Sequence, residues 1–116
     1  MAMILVIDDN PVVSELIAAT LTDAGHAVFI AADGEVGLKH FIQNLPGLVI
    51  TDIFMPEKDG LHIIREIHRL SPQTPIIAMS ASDAYLEAAR VFGAAHSILK
   101  PVRLPDLTDK VTQLLS

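Results

Sequence analysis

Five short apolar runs recur along this sequence, and each is followed by a stretch with helical periodicity. The runs begin near residues 3, 27, 48, 75 and 96. Their apolar residues are continuous rather than alternating, which indicates strands covered on both faces, as in a parallel sheet. The spacing leaves room for one helix after each strand. The pattern therefore predicts an α/β domain with a parallel sheet and right-handed crossovers.

The ends of these segments carry turn and cap residues. We expect strands at 3–7, 27–31, 48–52, 75–80 and 96–99. Five helices are expected: from Pro11 until Gly25 stops it, from Asp33-Gly34 to about Asn44, from Leu61 to Leu70, from Ser82 or Asp83 until Gly93 ends it, and through Leu104 and Leu114. The second helix is the weakest prediction, because Gly37 inside it costs up to ~1 kcal/mol relative to Ala.

Composition narrows the classes of protein to which the chain could belong. Its 116 residues are 51% apolar, enough for one buried core, and disorder is not expected. It contains no Cys, which excludes disulfides and thiolate metal sites. No apolar run approaches the ~18 residues of a membrane span, and the N-terminus lacks the features of a signal peptide. We expect a cytoplasmic protein without membrane contact, and the net charge of −6 argues against direct nucleic-acid binding.

Residues 48–60 combine a strand, a carboxylate and a turn. Leu48-Val49-Ile50-Thr51 suits a buried strand, Asp52 follows it, and Pro56 and Asp59-Gly60 supply turn chemistry. Open α/β sheets place reactive groups at the carboxyl ends of strands. Alone, Asp52 has an equally good explanation as an acid that simply precedes a turn. Its significance depends on what the other strands bring to the same edge.

Four of the five predicted strands end in a charged or hydroxyl group. These groups are Asp8 and Asp9, Asp52, Ser80 and Lys100. Packed carboxylates repel one another, and a hard divalent cation such as Mg²⁺ (or Mn²⁺) relieves the repulsion. Cys is absent and the edge offers no His except His96, so zinc is not expected. An acidic nucleophile, a metal, a lysine and a hydroxyl are the parts that phosphoryl transfer to a carboxylate requires.

Each of these residues also has a purely structural explanation. Asp8-Asp9 could cap the first helix, Ser80 could belong to a turn, and Lys100 could be a solvated loop charge. Any one of these explanations is reasonable in isolation. Their joint occurrence at the ends of four strands is improbable by accident, and this favours the functional interpretation.

A specific set of motifs follows the predicted strands. The set comprises Asp8-Asp9, Asp52 with Met55-Pro56 and Asp59-Gly60, Ser80-Ala81, Gly93-Ala94, and Lys100-Pro101. On these motifs, and over nearly its whole length, the chain resembles a response-regulator receiver domain of two-component signalling, similar to the chemotaxis regulators. The resemblance implies one flavodoxin-like domain over residues 1–116, with strand order 2-1-3-4-5 and helices on both faces. No effector domain is expected in this sequence.

The resemblance implies a role for each acid. Asp52 would be the phosphoacceptor, attacking phosphohistidine on a histidine kinase or a histidine phosphotransfer protein. Asp9, Asp52 and the backbone carbonyl of Phe54 would bind Mg²⁺, with Asp8 acting mainly through water. The protein would then be a signalling switch rather than an enzyme, promoting only its own phosphorylation and dephosphorylation.

The remaining site residues would sense the phosphoryl group. By resemblance, Lys100 would pair with the phosphoryl oxygens, and without metal we expect it to form a salt bridge with Asp52. Ser80 would move to hydrogen-bond the phosphoryl group and report it to the fourth helix. The Lys100–Pro101 bond would be a cis peptide, which proline tolerates.

Two positions depart from the family pattern. Ser97 stands where receivers usually carry Tyr or Phe, and Val102 stands where many carry Phe. Ser97 lacks the apolar volume that would make one position of a ring better than another. We therefore expect the signal to reach the face of the fourth helix and fifth strand weakly, or through another group, with Tyr85 and then His96 as candidates.

The resemblance also implies a downstream contact surface. A downstream protein, or an effector segment outside this sequence, would bind the face formed by the fourth helix, fifth strand and last helix. Tyr85 and Leu86 on the fourth helix are expected to be half exposed there.

Two other function classes fit parts of the pattern. A phosphotransferase or hydrolase with an Asp nucleophile needs a second acid shortly after the nucleophile, where this chain has Phe54. A flavodoxin-like cofactor-binding module needs a phosphate-cradling loop after the first strand. The Asp8-Asp9-Asn10 segment found there would repel a phosphate in the absence of a metal.

Overall fold

Five strands alternate with five helices along the chain, as the sequence predicted. The computed structural model describes residues 2–55 and 59–116. The elements are β1 (Met3–Ile7), α1 (Pro11–Asp23), β2 (Ala27–Ala31), α2 (Gly34–Asn44), β3 (Leu48–Asp52), α3 (Gly60–Leu70), β4 (Ile76–Ser80), α4 (Asp83–Phe92), β5 (His96–Leu99) and α5 (Leu104–Leu115). The turn expected at Pro56 lies outside the described residues.

The strands form one parallel sheet in the order β2-β1-β3-β4-β5, which confirms the predicted topology. At the carboxyl ends, Ile7 pairs with both Ala31 and Thr51, and Ser80 pairs with Leu99. The residues that follow β1, β3, β4 and β5 are therefore brought to the same edge of the sheet.

Two apolar layers, one on each face of the sheet, hold the helices in place. In β1, Leu5 and Ile7 face the layer that includes α2, α3 and α4, whereas Ile4 and Val6 face the layer with α1 and α5. All four side chains are fully buried. Burying an aliphatic side chain of this size contributes about 1.5–3 kcal/mol. A strand that is covered on both faces needs this continuous apolar sequence, which explains the lack of alternation.

The edge strand β2 is more exposed than its apolar sequence predicted. Phe29 is 44% exposed and Ile30 is 37% exposed, because the sheet ends at β2. The ring of His40, on α2, stacks on Phe29 with 3.8 Å between ring centroids and covers part of its surface. The His40 ring is itself partly buried, and this burial lowers its pKa.

No helix in the described ranges is long and apolar enough to cross a membrane.

Helix α4 is held at its two ends by different contacts. At its start, the Ser82 side chain caps the helix and accepts the Tyr85 N–H at 3.4 Å. At its end, Gly93 has φ +124°, and a Cβ there would lie 2.5 Å from the His68 ring on α3. Leu86, expected to be half exposed, is buried in the core, because α4 turns this residue toward the sheet.

The glycine that weakened the prediction of α2 is required by packing. Gly37 is buried, and a Cβ at this position would lie 2.5 Å from Ile7 Cδ1 and 2.7 Å from Ile7 Cγ1. Ile7 is fully buried in the core, so its side chain cannot turn out into solvent to make room. The missing Cβ at Gly37 lets α2 lie directly on the carboxyl end of β1.

We predict that Gly37→Ala lowers the free energy of unfolding by about 1–2 kcal/mol. Overpacking costs about 1–3 kcal/mol, and better helix propensity offsets at most ~1 kcal/mol of it. Urea unfolding measures the difference. Gly47→Ala is the matched control, because a Cβ there meets nothing closer than 3.7 Å. A Gly37→Ala variant as stable as Gly47→Ala would contradict this packing argument.

Candidate functional site

Three carboxylates converge at the carboxyl edge of the sheet. Asp8, Asp9 and Asp52 each offer an oxygen, and these oxygens lie within 4.8 Å of one another. Asp8 is 1% exposed and Asp52 is 5% exposed, whereas Asp9 faces solvent. The sequence prediction that strands β1 and β3 bring these acids together is correct. The cluster could hold a metal ion.

Asp8 is oriented by the start of helix α1. Its Oδ1 accepts the Asn10 N–H at 2.9 Å, and the Asn10 side chain accepts the N–H groups of Val12 and Val13. Asn10 is therefore both the N-cap of α1 and the residue that fixes one Asp8 oxygen. Sequence reasoning did not assign this role, although Asn before Pro11 is a recognisable cap signal. The other oxygen, Oδ2, is buried and has no hydrogen-bond partner among residues 2–55 and 59–116.

Lys100 supplies the positive charge of the cluster. Its Nζ lies 3.1 Å from Asp52 Oδ2 and 3.7 Å from Asp8 Oδ2. The predicted salt bridge between Lys100 and Asp52 is thus present. The backbone N–H of Lys100 donates to the Ser80 carbonyl at 2.8 Å, and this bond places the side chain at the end of β5. The bond between Lys100 and Pro101 is cis, as expected.

Opposing effects of burial and of neighbouring charges act on the pKa of Asp52. Burial raises the pKa of Asp52, the ammonium of Lys100 lowers it, and the Asp8 carboxylate raises it again; the net shift is upward. The upward shift reflects burial, which outweighs the effect of the Lys100 ammonium. The buried Asp8 Oδ2 and an all-oxygen donor set are what a hard divalent cation uses. The residues present fit such a cation.

A glycine lets the start of α3 approach the backbone of Asp52 and Ile53 closely. The N–H of Gly60, at the start of α3, donates to the Ile53 carbonyl at 2.7 Å. A Cβ at Gly60 would overlap the Asp52 carbonyl and lie 2.6 Å from Ile53 Cα. Backbone atoms cannot give way as a side chain can, so a residue without a Cβ is required beside the acid.

Ser80 is buried at the end of β4, with 1% of its surface exposed. Its Oγ accepts the Ser82 N–H at 3.1 Å, which links the hydroxyl to the N-cap of α4. β4 lies next to β3 in the sheet, with Met79 paired to Asp52. Ser80 is thus at the same edge as the acids. The proposed ligand carbonyl of Phe54 stays a prediction.

The three residues considered for carrying the signal to α4, namely Tyr85, Ser97 and His96, do not lie together. Tyr85, 41% exposed as predicted, contacts the ring of Phe54 at 4.5 Å between centroids. Ser97 is exposed and pairs with Ala78 in the middle of the strand. His96 does not border the site: it pairs with Ile77 near the opposite edge of the sheet, because it begins β5 rather than ending it.

We predict that Lys100→Met lowers the free energy of unfolding by about 1–3 kcal/mol in metal-free buffer. Removing one partner of a buried ion pair leaves the other charge uncompensated, and the partial exposure of Lys100 reduces the full effect. Urea unfolding with a chelator present measures it. Lys39→Met, at an exposed position of α2, is the control and should change stability by less than about 0.5 kcal/mol. Equal stability of the two variants would show that the ion pair contributes nothing.

Comparison with known sequences assigns the family. The model of the response regulator receiver domain matches residues 4–112. The chain is 31% identical over 110 residues to the transcriptional regulatory protein DltR of Streptococcus agalactiae, and 33% identical over 114 residues to the response regulator MprA of a Mycobacterium species. These alignments cover 93% and 97% of this chain but 49% and 50% of the two relatives. The chain therefore spans about half the length of the curated relatives it matches.

Solved structures show the same likeness. A response regulator receiver domain protein from Clostridium thermocellum superposes with a TM-score of 0.93 at 32% identity, covering 99% of this chain and 94% of that one. The chemotaxis protein CheY4 of Vibrio cholerae gives a TM-score of 0.90 at 26% identity, with 98% of both chains covered. NtrX from Brucella abortus gives 0.91 at 30% identity, covering 98% of this chain and 26% of NtrX. The chain belongs to the response regulator receiver domain family of two-component systems.

Proposed function

We propose that this receiver accepts a phosphoryl group on Asp52 from a phosphohistidine of a histidine kinase or histidine phosphotransfer protein. The observation that carries the proposal is the placement of the Asp52 carboxylate 3.1 Å from the Lys100 ammonium, within a group of three acids. A buried carboxylate with a fixed cation beside it is an oriented nucleophile, and that cation can also face an incoming phosphoryl group.

The transfer is a single displacement at phosphorus. An oxygen of the Asp52 carboxylate attacks the phosphorus atom, and an acyl phosphate bond forms. The phosphorus–nitrogen bond to the donor breaks, and its electron pair stays on the imidazole of the donor histidine. Lys100 moves from pairing with the carboxylates to pairing with the phosphoryl oxygens, and the Ser80 hydroxyl donates a hydrogen bond to one of them.

A divalent cation, Mg²⁺ or Mn²⁺, completes this site. Asp8, Asp9 and Asp52 would hold it together with the backbone carbonyl of Phe54, with Asp8 acting mainly through water. When bound, it neutralises negative charge on the phosphoryl oxygens. Two observations on the described residues support this assignment: the buried Asp8 Oδ2 accepts no hydrogen bond, and three clustered acids face one lysine.

The described site favours a switch over the alternative classes. Phe54, in the place where an Asp-nucleophile hydrolase or phosphotransferase would carry its second acid, presents a 52% exposed apolar ring. The segment after β1 is acidic and caps α1 with Asn10, so it does not form an anion cradle for a flavodoxin-like cofactor. The site therefore promotes its own phosphorylation and dephosphorylation and acts on no further substrate.

The output of the switch lies in contacts with another protein or with a segment outside this sequence. The match to the family over residues 4–112 supports a single receiver domain for the chain. We assign the downstream contact to the face of α4, β5 and α5. The net charge of −6 supports a protein partner rather than direct contact with nucleic acid.

Asp52→Asn should abolish phosphoryl uptake, because an amide is not a nucleophile. The parent chain, incubated with acetyl phosphate and Mg²⁺, should gain the mass of one phosphoryl group, and a chelator should prevent the gain. Asp109→Asn, at an exposed acid on α5, is the control and should be labelled like the parent. Labelling of Asp52→Asn to the parent level would show that another residue is the acceptor.

Mg²⁺ should stabilise the folded protein through the same acids. A ligand that binds only the folded state adds about 2.7 kcal/mol at one hundred times its dissociation constant. We expect this rise in urea unfolding for the parent and for Asp109→Asn. Asp9→Asn removes one of the three clustered acids and should lose most of it. An equal Mg²⁺ effect in Asp9→Asn would move the metal away from this cluster.

A further inference from the structure

Two aromatic rings meet at the rim of the site, where the core does not require them. Phe54 and Tyr85 make an edge contact with 4.5 Å between ring centroids and 62° between ring planes. Phe54 is 52% exposed and Tyr85 is 41% exposed, so each keeps much of its surface in water. The contact joins the segment after β3 to the first turn of α4. The first of these segments follows the proposed phosphoacceptor Asp52, and the second follows Ser82, the cap that is bonded to Ser80.

A series of contacts connects these two rings to Ser80 and to Asp52. Ser80 Oγ accepts the Ser82 N–H at 3.1 Å, and Ser82 Oγ accepts the Tyr85 N–H at 3.4 Å. Phe54 follows Asp52 by two residues, and the intervening Ile53 is buried and donates its N–H to the Met79 carbonyl at 3.0 Å. The Phe54 side is thus anchored to the sheet. The Tyr85 side depends on where the Ser80 hydroxyl lies.

We propose that the Phe54–Tyr85 contact holds α4 in the position of the unphosphorylated state and is released when Asp52 is phosphorylated. This inference rests on the proposed function, since it needs a phosphoryl group on Asp52. When the Ser80 hydroxyl shifts toward that group, the Ser82 N–H either follows it or loses its acceptor. In both cases the first turn of α4 moves, while Phe54 stays with β3, and the edge contact is lost.

The mechanism assigns to Tyr85 a coupling role that Ser97 cannot fill. Ser97 is an exposed hydroxyl paired with Ala78, and it brings no apolar surface to the site edge. Tyr85 brings a ring whose partner differs between two positions of α4, and such a difference is what a two-state switch requires. Tyr85 is a positioning residue: it contacts neither Asp52 nor Lys100 among the hydrogen bonds and ion pairs of the described residues.

The proposal predicts the direction in which the affinity for a phosphoryl mimic should change when the contact is removed. A contact made only in the unphosphorylated state opposes switching, so its removal should strengthen binding of a phosphoryl mimic. Tyr85→Ala should bind beryllofluoride with Mg²⁺ about two- to tenfold more tightly than the parent, which is the range for one aromatic pair. Tyr85→Phe keeps the ring and should match the parent. Fluorine NMR of bound beryllofluoride measures the affinity in each variant.

Two further variants separate the contact from other effects on α4. Val91→Ala shortens a side chain on the same helix that is 70% exposed, and its affinity should equal that of the parent. Phe54→Leu removes the partner ring and retains the backbone carbonyl. In the Phe54→Leu background, adding Tyr85→Ala should give no additional gain in affinity. An equal gain in that background would show that Tyr85 acts through something other than Phe54.

Tyr85 also reports directly on the contact. It is the sole tyrosine of the sequence, and there is no tryptophan. Its emission should change as beryllofluoride saturates the parent, and this change should be absent in Asp52→Asn. If acetyl phosphate adds no phosphoryl mass to the parent, the proposed function fails. If mass is added but Tyr85→Ala binds beryllofluoride like Val91→Ala and the emission stays constant, the proposed function stands and this inference is overturned.

Discussion

The structure depends on keeping two buried carboxylates close together with one ammonium to compensate them. Asp8 and Asp52 offer oxygens within 4.8 Å of each other, a separation at which two unit charges repel by about 3 kcal/mol at an effective dielectric constant of about 20. Lys100, 3.1 Å from one acid and 3.7 Å from the other, offsets that repulsion. It cannot also offset Asp9. The site is therefore organised for a charge distribution that one lysine alone does not complete.

The parallel sheet allows these charged groups to lie close together without disrupting the core. β1 and β3, which carry the acids to this edge, are held by backbone hydrogen bonds to neighbouring strands and by apolar layers on both faces. Asp8 and Asp9 follow β1 and Asp52 is the last residue of β3, so none of these acids interrupts the sheet. The tight approaches at Gly37 and Gly60 show how closely α2 and α3 pack against the strands that carry Asp8 and Asp52. The packing of the core thus also holds the site residues in position.

The sequence was sufficient for the parts of the fold that follow from periodicity and from parallel topology. Apolar runs located the strands, and the end of each strand located Asp8, Asp52, Ser80 and Lys100, because parallel strands share one carboxyl edge. Burial was less predictable. The same apolar pattern produces a buried β3 and an exposed β2, because position in the sheet, and not composition, decides how many neighbours a strand has.

Contacts between distant segments could not be predicted from local patterns. His96 was expected at the carboxyl edge, although the predicted strand 96–99 already begins with it and so places it near the amino end, where it pairs with Ile77. Gly37 lowers the helix propensity of α2, and only the folded structure shows that its missing Cβ leaves room for Ile7. The stacking of His40 on Phe29 and the contact of Tyr85 with Phe54 join residues that no short motif links. For these three contacts the determining quantity is a distance across the fold.

The close fit of His68 against Gly93 has a mechanical consequence for α4. With no Cβ at Gly93, the C-terminal end of the helix is seated on α3, and Ala89 one turn earlier is fully buried. The opposite end is attached through side-chain hydrogen bonds at Ser80 and Ser82. Leu86, near that opposite end, is also buried in the core. A displacement at Ser80 therefore acts on the residues of α4 that precede Leu86, because packing fixes the rest of the helix.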